Sequence, residues 1–220
     1  MKNRRIWLQV AVAAAALTQA RTGHTQGIQG SAHDMSGYSW SGGQICVVCH
    51  TPHNAIPAAA PLWNHQVTTA SFITYSSPVL GASLVIGQPS GTSKLCLSCH
   101  DGTVAIENFG GVTNGAYFMT GPANLGTDMS NDHPISFAYD SALATNPRVP
   151  LFDPSTRLWD LGSPAAGTIA QNVLFTAGPQ SPTLTQLECA SCHAVHGSPF
   201  PPLLRKTNAG SALCLTCHNM

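Results

Sequence analysis

Eight cysteines and four of the ten histidines stand in one repeated pattern, C-x-x-C-H. This pattern is the attachment sequence for c-type haem. The two thiols add across the vinyl groups of the porphyrin, and the histidine becomes the proximal ligand of the iron. Residues i, i+3 and i+4 lie on one face of a helical turn, so both sulfurs and the imidazole approach one macrocycle from the same side. The four copies occupy residues 46–50, 96–100, 189–193 and 214–218.

The pattern predicts four covalently bound haem c groups. Paired C-x-x-C is also a zinc signature, but zinc does not require a histidine directly after each pair. No cysteine is left outside the four motifs to form a disulfide framework. The predicted thioether residues are Cys46, Cys49, Cys96, Cys99, Cys189, Cys192, Cys214 and Cys217, and the predicted proximal iron ligands are His50, His100, His193 and His218.

Each iron has a second axial position, which one of the six remaining histidines can fill. His53 and His196 each follow a proximal histidine by three residues. Each therefore starts on the proximal side of its own haem and is expected to bind the iron of an adjacent haem. Pro134 favours an extended conformation at His133, which would hold that side chain rigidly. The predicted distal ligands are His33, His53, His133 and His196, with His65 in reserve.

The assignment of His33 stays open between two roles. It lies on a Gly- and Ser-rich arm before the first motif, which could fold back or reach another subunit. His65 is its main rival as a ligand within the chain. Methionine is the other axial ligand type in c-type haem proteins. Because enough histidines are present, we assign the methionines to packing.

The motifs are arranged as an internal repeat of two tandem pairs. In each pair, a C-x-x-C-H-x-x-H unit is followed by a C-x-x-C-H unit without the extra histidine. The pairs span residues 46–100 and 189–218, and the insert 101–188 separates them. Within the insert, residues 103–106 and 135–139 have strand-like composition and are predicted to form short strands.

The first twenty residues have the pattern of a signal peptide. A basic start containing Lys2, Arg4 and Arg5 precedes an apolar run and small residues suited to cleavage. The run is shorter than the roughly 20 apolar residues that a membrane span needs. We therefore expect export, a domain of residues 21–220, and no stable membrane span.

The composition predicts an unusual interior. Gly and Pro together number 36 and interrupt nearly every periodic segment, so an ordinary core of helices and strands is not expected. The predicted fold is that of a multihaem cytochrome c: mostly irregular coil, with short helices and a few short strands, wrapped around four stacked haems. Only 8% of residues are charged and no basic stripe is present, which argues against nucleic-acid binding and favours association.

Several stretches resemble those of the doubled C-x-x-C-H multihaem cytochromes. They are residues 46–54, 60–65, 93–102, 132–137 and 211–218. With four motifs and the N-terminal sequence His33-Asp34-Met35-Ser36, the chain is most similar to the extracellular tetrahaem cytochromes that polymerise into filaments. The resemblance implies a continuous haem stack, bis-histidine iron throughout, and one histidine per subunit that ligates a haem of its neighbour. His33 is the favoured residue for that contact.

Three functions are consistent with these features. The first is a filament subunit that carries electrons outside the cell to other redox proteins or extracellular acceptors. The second is a soluble periplasmic electron shuttle with the same haems. The third, a multihaem reductase, is disfavoured because the supply of histidines leaves no open iron and no C-x-x-C-K variant occurs. We therefore predict electron transfer without enzymatic catalysis.

Overall fold

Short helices in long stretches of coil make up most of the chain. The computed structural model describes residues 27–57, 62–78, 84–160, 166–177 and 183–220; the predicted signal peptide lies outside them. The longest helix in the described residues is α1, which has ten residues. The helices are α1 (Gly91–His100), α2 (Ser141–Ala144), α3 (Ile169–Val173), α4 (Cys189–Cys192) and α5 (Cys214–Cys217). Single 3₁₀ turns occur at Met35–Gly37, Ser39–Ser41, Gly121–Ala123 and Ala209–Ser211.

A small antiparallel sheet lies at the end of the insert. Its strands are β1 (Phe137–Ala138), β2 (Phe175–Thr176) and β3 (Leu184–Leu187), in the order β1-β3-β2. Phe137 pairs with Leu187, and the pairing of β2 with β3 is interrupted by an irregularity. The strand predicted within residues 135–139 is confirmed by β1, and the mostly irregular fold with few short elements is confirmed as well.

The strand predicted at residues 103–106 is wrong. The Asp101 carboxylate accepts hydrogen bonds from the backbone N–H and the hydroxyl of Thr103, at 2.7 and 2.8 Å. Such local side-chain bonds favour a turn over a ladder. Val104 and Ala105 are buried beside this turn, so their apolar character reflects packing without strand pairing.

The first apolar cluster packs against the sheet. It contains Tyr139, Ile169, Val173, Leu174 and Leu187, and the Tyr139 hydroxyl donates a hydrogen bond to the Phe152 carbonyl at 2.6 Å. The short helix α3 delivers two of these side chains. Thr168 caps α3, because its backbone N–H donates to Gln171 Oε1 at 2.9 Å while its hydroxyl accepts from the Gln171 N–H.

The second apolar cluster is smaller and lies beside α1. Phe72, Leu97 and Met129 form it, and Leu97 has no exposed surface. Most of the buried apolar side chains in the described residues therefore belong to two small clusters, while others, such as Val48 and Val104, are buried outside them. None of the helices in the described ranges has the length and apolar composition to cross a bilayer.

Candidate haem-binding sites

The four C-x-x-C-H motifs share one local backbone form. In three of them the histidine N–H donates to the carbonyl of the first cysteine: His50 to Cys46 at 2.8 Å, His193 to Cys189 at 3.0 Å and His218 to Cys214 at 2.9 Å. The second motif has the same spacing inside helix α1. Each motif is thus one helical turn, which places its two sulfurs and its imidazole on one side, as the spacing predicts.

Backbone bridges to other segments hold three of the four predicted proximal histidines. His193 and His218 leave the helical turn in an extended conformation and form β-bridges with Leu204 and Leu151. His50 likewise forms a bridge with Trp63. The backbone of each histidine is therefore fixed from both sides, which limits the directions its ring can take.

All eight cysteines are free thiols, so none is consumed by a disulfide bond. Thiols of successive motifs lie near one another. Burial raises the pKa of the Cys99 thiol to about 12, and the neighbouring Cys49 adds to the effect. Burial raises the pKa of the Cys217 thiol to about 11, and Cys192 adds to it. The Cys96 thiol is in hydrogen-bonding contact with Cys189.

Three of the four proximal histidines face a second histidine. The ring centroids of His50 and His196 are 6.0 Å apart, and those of His33 and His100 are also 6.0 Å apart. The third pair, His133 and His218, has a centroid separation of 6.2 Å. Each pair joins one predicted proximal ligand to one predicted distal ligand.

These separations fit an iron between each pair. Two imidazole nitrogens that bind one transition-metal ion from opposite sides, at about 2.0 Å each, place their ring centroids about 6 Å apart. Among the described residues, no three His, Cys, Asp or Glu side chains gather as ligands of one ion. The histidines come together two at a time, as axial ligation of a haem requires.

Hydrogen bonds orient several of these rings. His100 Nδ1 lies 2.7 Å from the Ala123 carbonyl, His193 Nδ1 lies 3.0 Å from the Pro202 carbonyl, and His133 Nδ1 lies 2.9 Å from the Pro134 carbonyl. A carbonyl oxygen only accepts, so Nδ1 carries the proton and Nε2 keeps its lone pair. Metal-binding histidines use this arrangement to fix the ring and its tautomer.

His33 is kept neutral, as a metal ligand must be. Burial lowers its pKa, and the neighbouring His100, His193 and His196 add to the effect. Its Nδ1 atom is buried without a hydrogen-bond partner. A buried nitrogen in this state costs stability unless another group binds it. The predicted distal role of His33 thus fits the structure inside one chain, opposite His100.

Within the described residues, no histidine ring lies opposite the fourth predicted proximal histidine, His193. His193 is anchored by Pro202, and His33 and His196, which lie near it, face His100 and His50. The remaining predicted distal ligand, His53, is exposed. His193 is therefore the one predicted proximal ligand, and His53 the one predicted distal ligand, that belongs to none of the three pairs.

His65 has a different environment from the paired histidines. It is 1% exposed, and its ring nitrogens lie 2.8 Å from the Gln66 carbonyl and 3.0 Å from the Ala105 carbonyl. Its Nε2 is also 3.4 Å from Cys99 Sγ. Both nitrogens are thus directed at protein groups beside the second motif. This geometry suits a histidine that holds two loops together.

One buried residue beside the motifs was not singled out from the sequence. Glu188 directly precedes the third motif and is buried between α1 and α4. Two features of the sequence could have pointed to Glu188. It is one of only two glutamates in the chain, and it directly precedes a predicted haem-attachment cysteine.

Comparison with known proteins identifies the second pair of motifs. The profile of a family described as doubled CXXCH motif matches residues 182–220, which hold the third and fourth motifs. No curated protein matches the chain. The matched motif indicates covalently bound haem c, and it supports a multihaem c-type cytochrome, an electron-transfer protein.

Proposed function

We propose that the chain is a tetrahaem bis-histidine c-type cytochrome whose function is electron transfer. The observation that carries this proposal is the pairing of His50, His100 and His218 with three further histidines at centroid distances of 6.0 to 6.2 Å. Such a ligand set leaves no iron position for a substrate at these three sites. We therefore propose electron transfer without a catalytic reaction at these three sites.

The chain's own residues hold the redox group and set its surroundings. Bound haem supplies the one-electron couple of its iron. The eight thiols fix the macrocycles, and the carbonyls of Ala123, Pro134 and Pro202 orient three imidazole ligands. Cys99 lies near Cys49 and Cys96 lies near Cys189, which supports an order with the second attachment site between the first and the third. This arrangement supports a short path from site to site.

The haem count is tested by the mass of the secreted protein. Four haems attached through all eight cysteines are expected, together with low-spin spectra. Replacing both Cys214 and Cys217 by alanine should remove one haem and leave three. A wild-type protein with fewer than four haems, or one with a predominantly high-spin ferric signal, would contradict the proposal and revive a reductase function.

We further propose that the protein is exported and polymerises into an extracellular filament. The support is a pair of residues left over within the described part of one chain: His193, which has no facing histidine there, and His53, which is exposed at the surface. If His53 of one subunit binds the iron held by His193 of the next, each subunit completes its neighbour's site. The structure pairs His33 with His100, so in this proposal His53 takes the intersubunit role for which the sequence favoured His33.

Two matched variants separate these assignments. His53→Ala should abolish fibres in electron micrographs of the secreted protein and leave monomers with one incompletely ligated haem. His33→Ala should lose a distal ligand within each subunit yet still form fibres. The reverse result would return the intersubunit role to His33. A wild-type protein that stays monomeric at high concentration would support the alternative, a soluble periplasmic shuttle.

A further inference from the structure

A buried carboxylate joins the second and third haem-attachment motifs. Glu188 is 2% exposed and lies directly before helix α4. Its Oε2 atom accepts a hydrogen bond from the Ser93 hydroxyl, one from the Ser136 hydroxyl at 2.9 Å and one from the Ser93 N–H at 3.3 Å. The Ser93 hydroxyl also accepts from the Cys189 N–H, at 2.9 Å. The carboxylate therefore links α1, α4 and the segment before β1.

The surrounding backbone is shaped to admit this side chain. Gly91 has a φ of +50°, and a Cβ at this position would lie 2.7 Å from Glu188 Oε1. Ser136 has a φ of +57°, which is uncommon for a residue with a side chain. That conformation places its hydroxyl between Glu188 and the Ser90 N–H, from which it accepts at 3.0 Å. Two unusual backbone positions thus converge on one carboxylate.

The polar side chains around Glu188 are serine hydroxyls and cysteine thiols. On α1 and α4 the titratable groups near it are the thiols of Cys96 and Cys189, which become thioethers when haem is attached. The segment before β1 contributes the Ser136 hydroxyl. In the described part of the chain, no Lys, Arg or His forms an ion pair with it. Burial raises the pKa of Glu188, and the hydrogen bonds that its carboxylate accepts from serines act in the opposite direction.

We infer that Glu188 is a redox-linked proton acceptor that sets the potential of the haems attached at Cys96 and Cys189. The inference rests on the proposed haem attachment at these motifs. A buried negative charge favours ferric over ferrous iron, so the ionised carboxylate lowers the midpoint potential. When an electrode adds one electron beside it, Glu188 takes up one proton from solvent, and the local charge is unchanged. The reverse step releases the proton.

The sign of the pH dependence follows from this linkage. At pH values where Glu188 is protonated in both oxidation states, the midpoint potential does not depend on its titration. As the pH rises through its pKa, the carboxylate ionises and the potential of the adjacent haems falls. Because burial raises the pKa, the fall is expected above the ordinary range of a glutamate, which is near pH 4.3.

The test is spectroelectrochemistry of the four-haem protein as a function of pH. Glu188→Gln keeps the size of the side chain and one carbonyl acceptor but removes the charge. It should raise the potential of two haems at neutral pH and flatten their dependence on pH. Glu107→Gln removes the same formal charge at the only other glutamate. It should leave the haem potentials and their pH dependence unchanged. Haem propionates also titrate, and they account for any dependence that remains in Glu188→Gln.

A second variant tests the carboxylate without removing it. Ser136→Ala deletes a hydrogen bond to the ionised form, so it should move the pH transition upward. Infrared difference spectra between oxidised and reduced protein should show a protonated-carboxyl band that is absent in Glu188→Gln. An unchanged pH profile in Glu188→Gln, or an equal change in Glu107→Gln, would overturn the inference. A haem count measured on each variant keeps this result separate from a failure of the proposed function.

Discussion

A histidine that binds iron and a histidine that supports packing differ in what their two ring nitrogens face. His133 directs Nδ1 at the Pro134 carbonyl and lies opposite His218 across 6.2 Å, with Nε2 left to bind. His65 directs both nitrogens at backbone carbonyls. The sequence favoured His133 over His65 because of Pro134, but only the fold shows which groups the ring nitrogens of each histidine contact.

The ligand role of His133 predicts a spectroscopic change. His133→Ala should convert one low-spin haem of four to a high-spin or weakly ligated form, because no other imidazole of the described residues faces His218. Electron paramagnetic resonance of the oxidised protein measures this. His65→Phe is the matched control and should keep all low-spin signals. Loss of a low-spin haem in His65→Phe alone would reverse the two assignments.

The packing role of His65 predicts a change in stability with pH. Burial lowers its pKa in the folded chain, whereas in the unfolded chain the pKa is near 6.5. The unfolded state therefore binds more protons as the pH falls through about 6.5, and acidification favours unfolding. Denaturant titrations at about pH 7.5 and about pH 5.5 should show a smaller loss of stability in His65→Phe than in wild type.

His65→Phe should also lose stability at neutral pH. The variant removes the ring N–H, which in the neutral form donates to one of the Gln66 and Ala105 carbonyls, and the loss of this bond corresponds to about 1–3 kcal/mol. If its pH dependence equals that of wild type, His65 does not carry the predicted linkage. Acid-induced release of the distal histidines is common to both proteins and cancels in the comparison.

At the scale of single elements, α1 depends on the residue at its first position. Gly91 begins the helix with a φ of +50° and approaches Glu188 closely. Gly91→Ala should destabilise the protein by about 1–3 kcal/mol, because a side chain in this backbone region is strained and would also displace the carboxylate. Gly87→Ala is the control, since nothing lies within 4 Å of its Cβ position. Equal unfolding free energies for the two variants would contradict this assignment.

Helix α3 serves a packing role in the insert and holds no haem ligand. Ile169 and Val173 bury one face of it against Tyr139 and Leu187. Removing the cap with Thr168→Ala should cost about 1 kcal/mol of stability and leave the haem spectra unchanged. Thr168→Ser retains a hydroxyl and should keep most of that stability. A spectral change in Thr168→Ala would show that the insert positions a haem directly.

Elements of this size are hard to predict from sequence. Of the five α-helices in the described residues, four have four or five residues, and two of the strands there have two. Periodicity is not detectable over such lengths, so α3 and β3 were not anticipated, and residues 103–106 were wrongly predicted as a strand. The helical turns of the haem motifs were predictable because their chemistry imposes the spacing, and β1 was anticipated from the strand-like composition of residues 135–139.

At the scale of the whole molecule, the two apolar clusters are small for a chain of 220 residues. Haem should therefore supply much of the buried surface. Chain produced without haem attachment is expected to be rapidly cleaved by protease and to lack a cooperative unfolding transition, whereas the four-haem protein resists cleavage. Limited proteolysis of both forms measures this. A resistant, cooperatively unfolding apo chain would show that the polypeptide alone forms the core.

The sequence by itself determined the attachment chemistry and the residues that perform it. Those features are local: a cysteine, a second cysteine three residues on and a histidine directly after it form one turn wherever they occur. The tertiary structure decided the partners. It set His33 opposite His100, His196 opposite His50 and His133 opposite His218, and it buried Glu188 between two motifs. These contacts join residues far apart in the chain, and only the folded path of the coil brings them together.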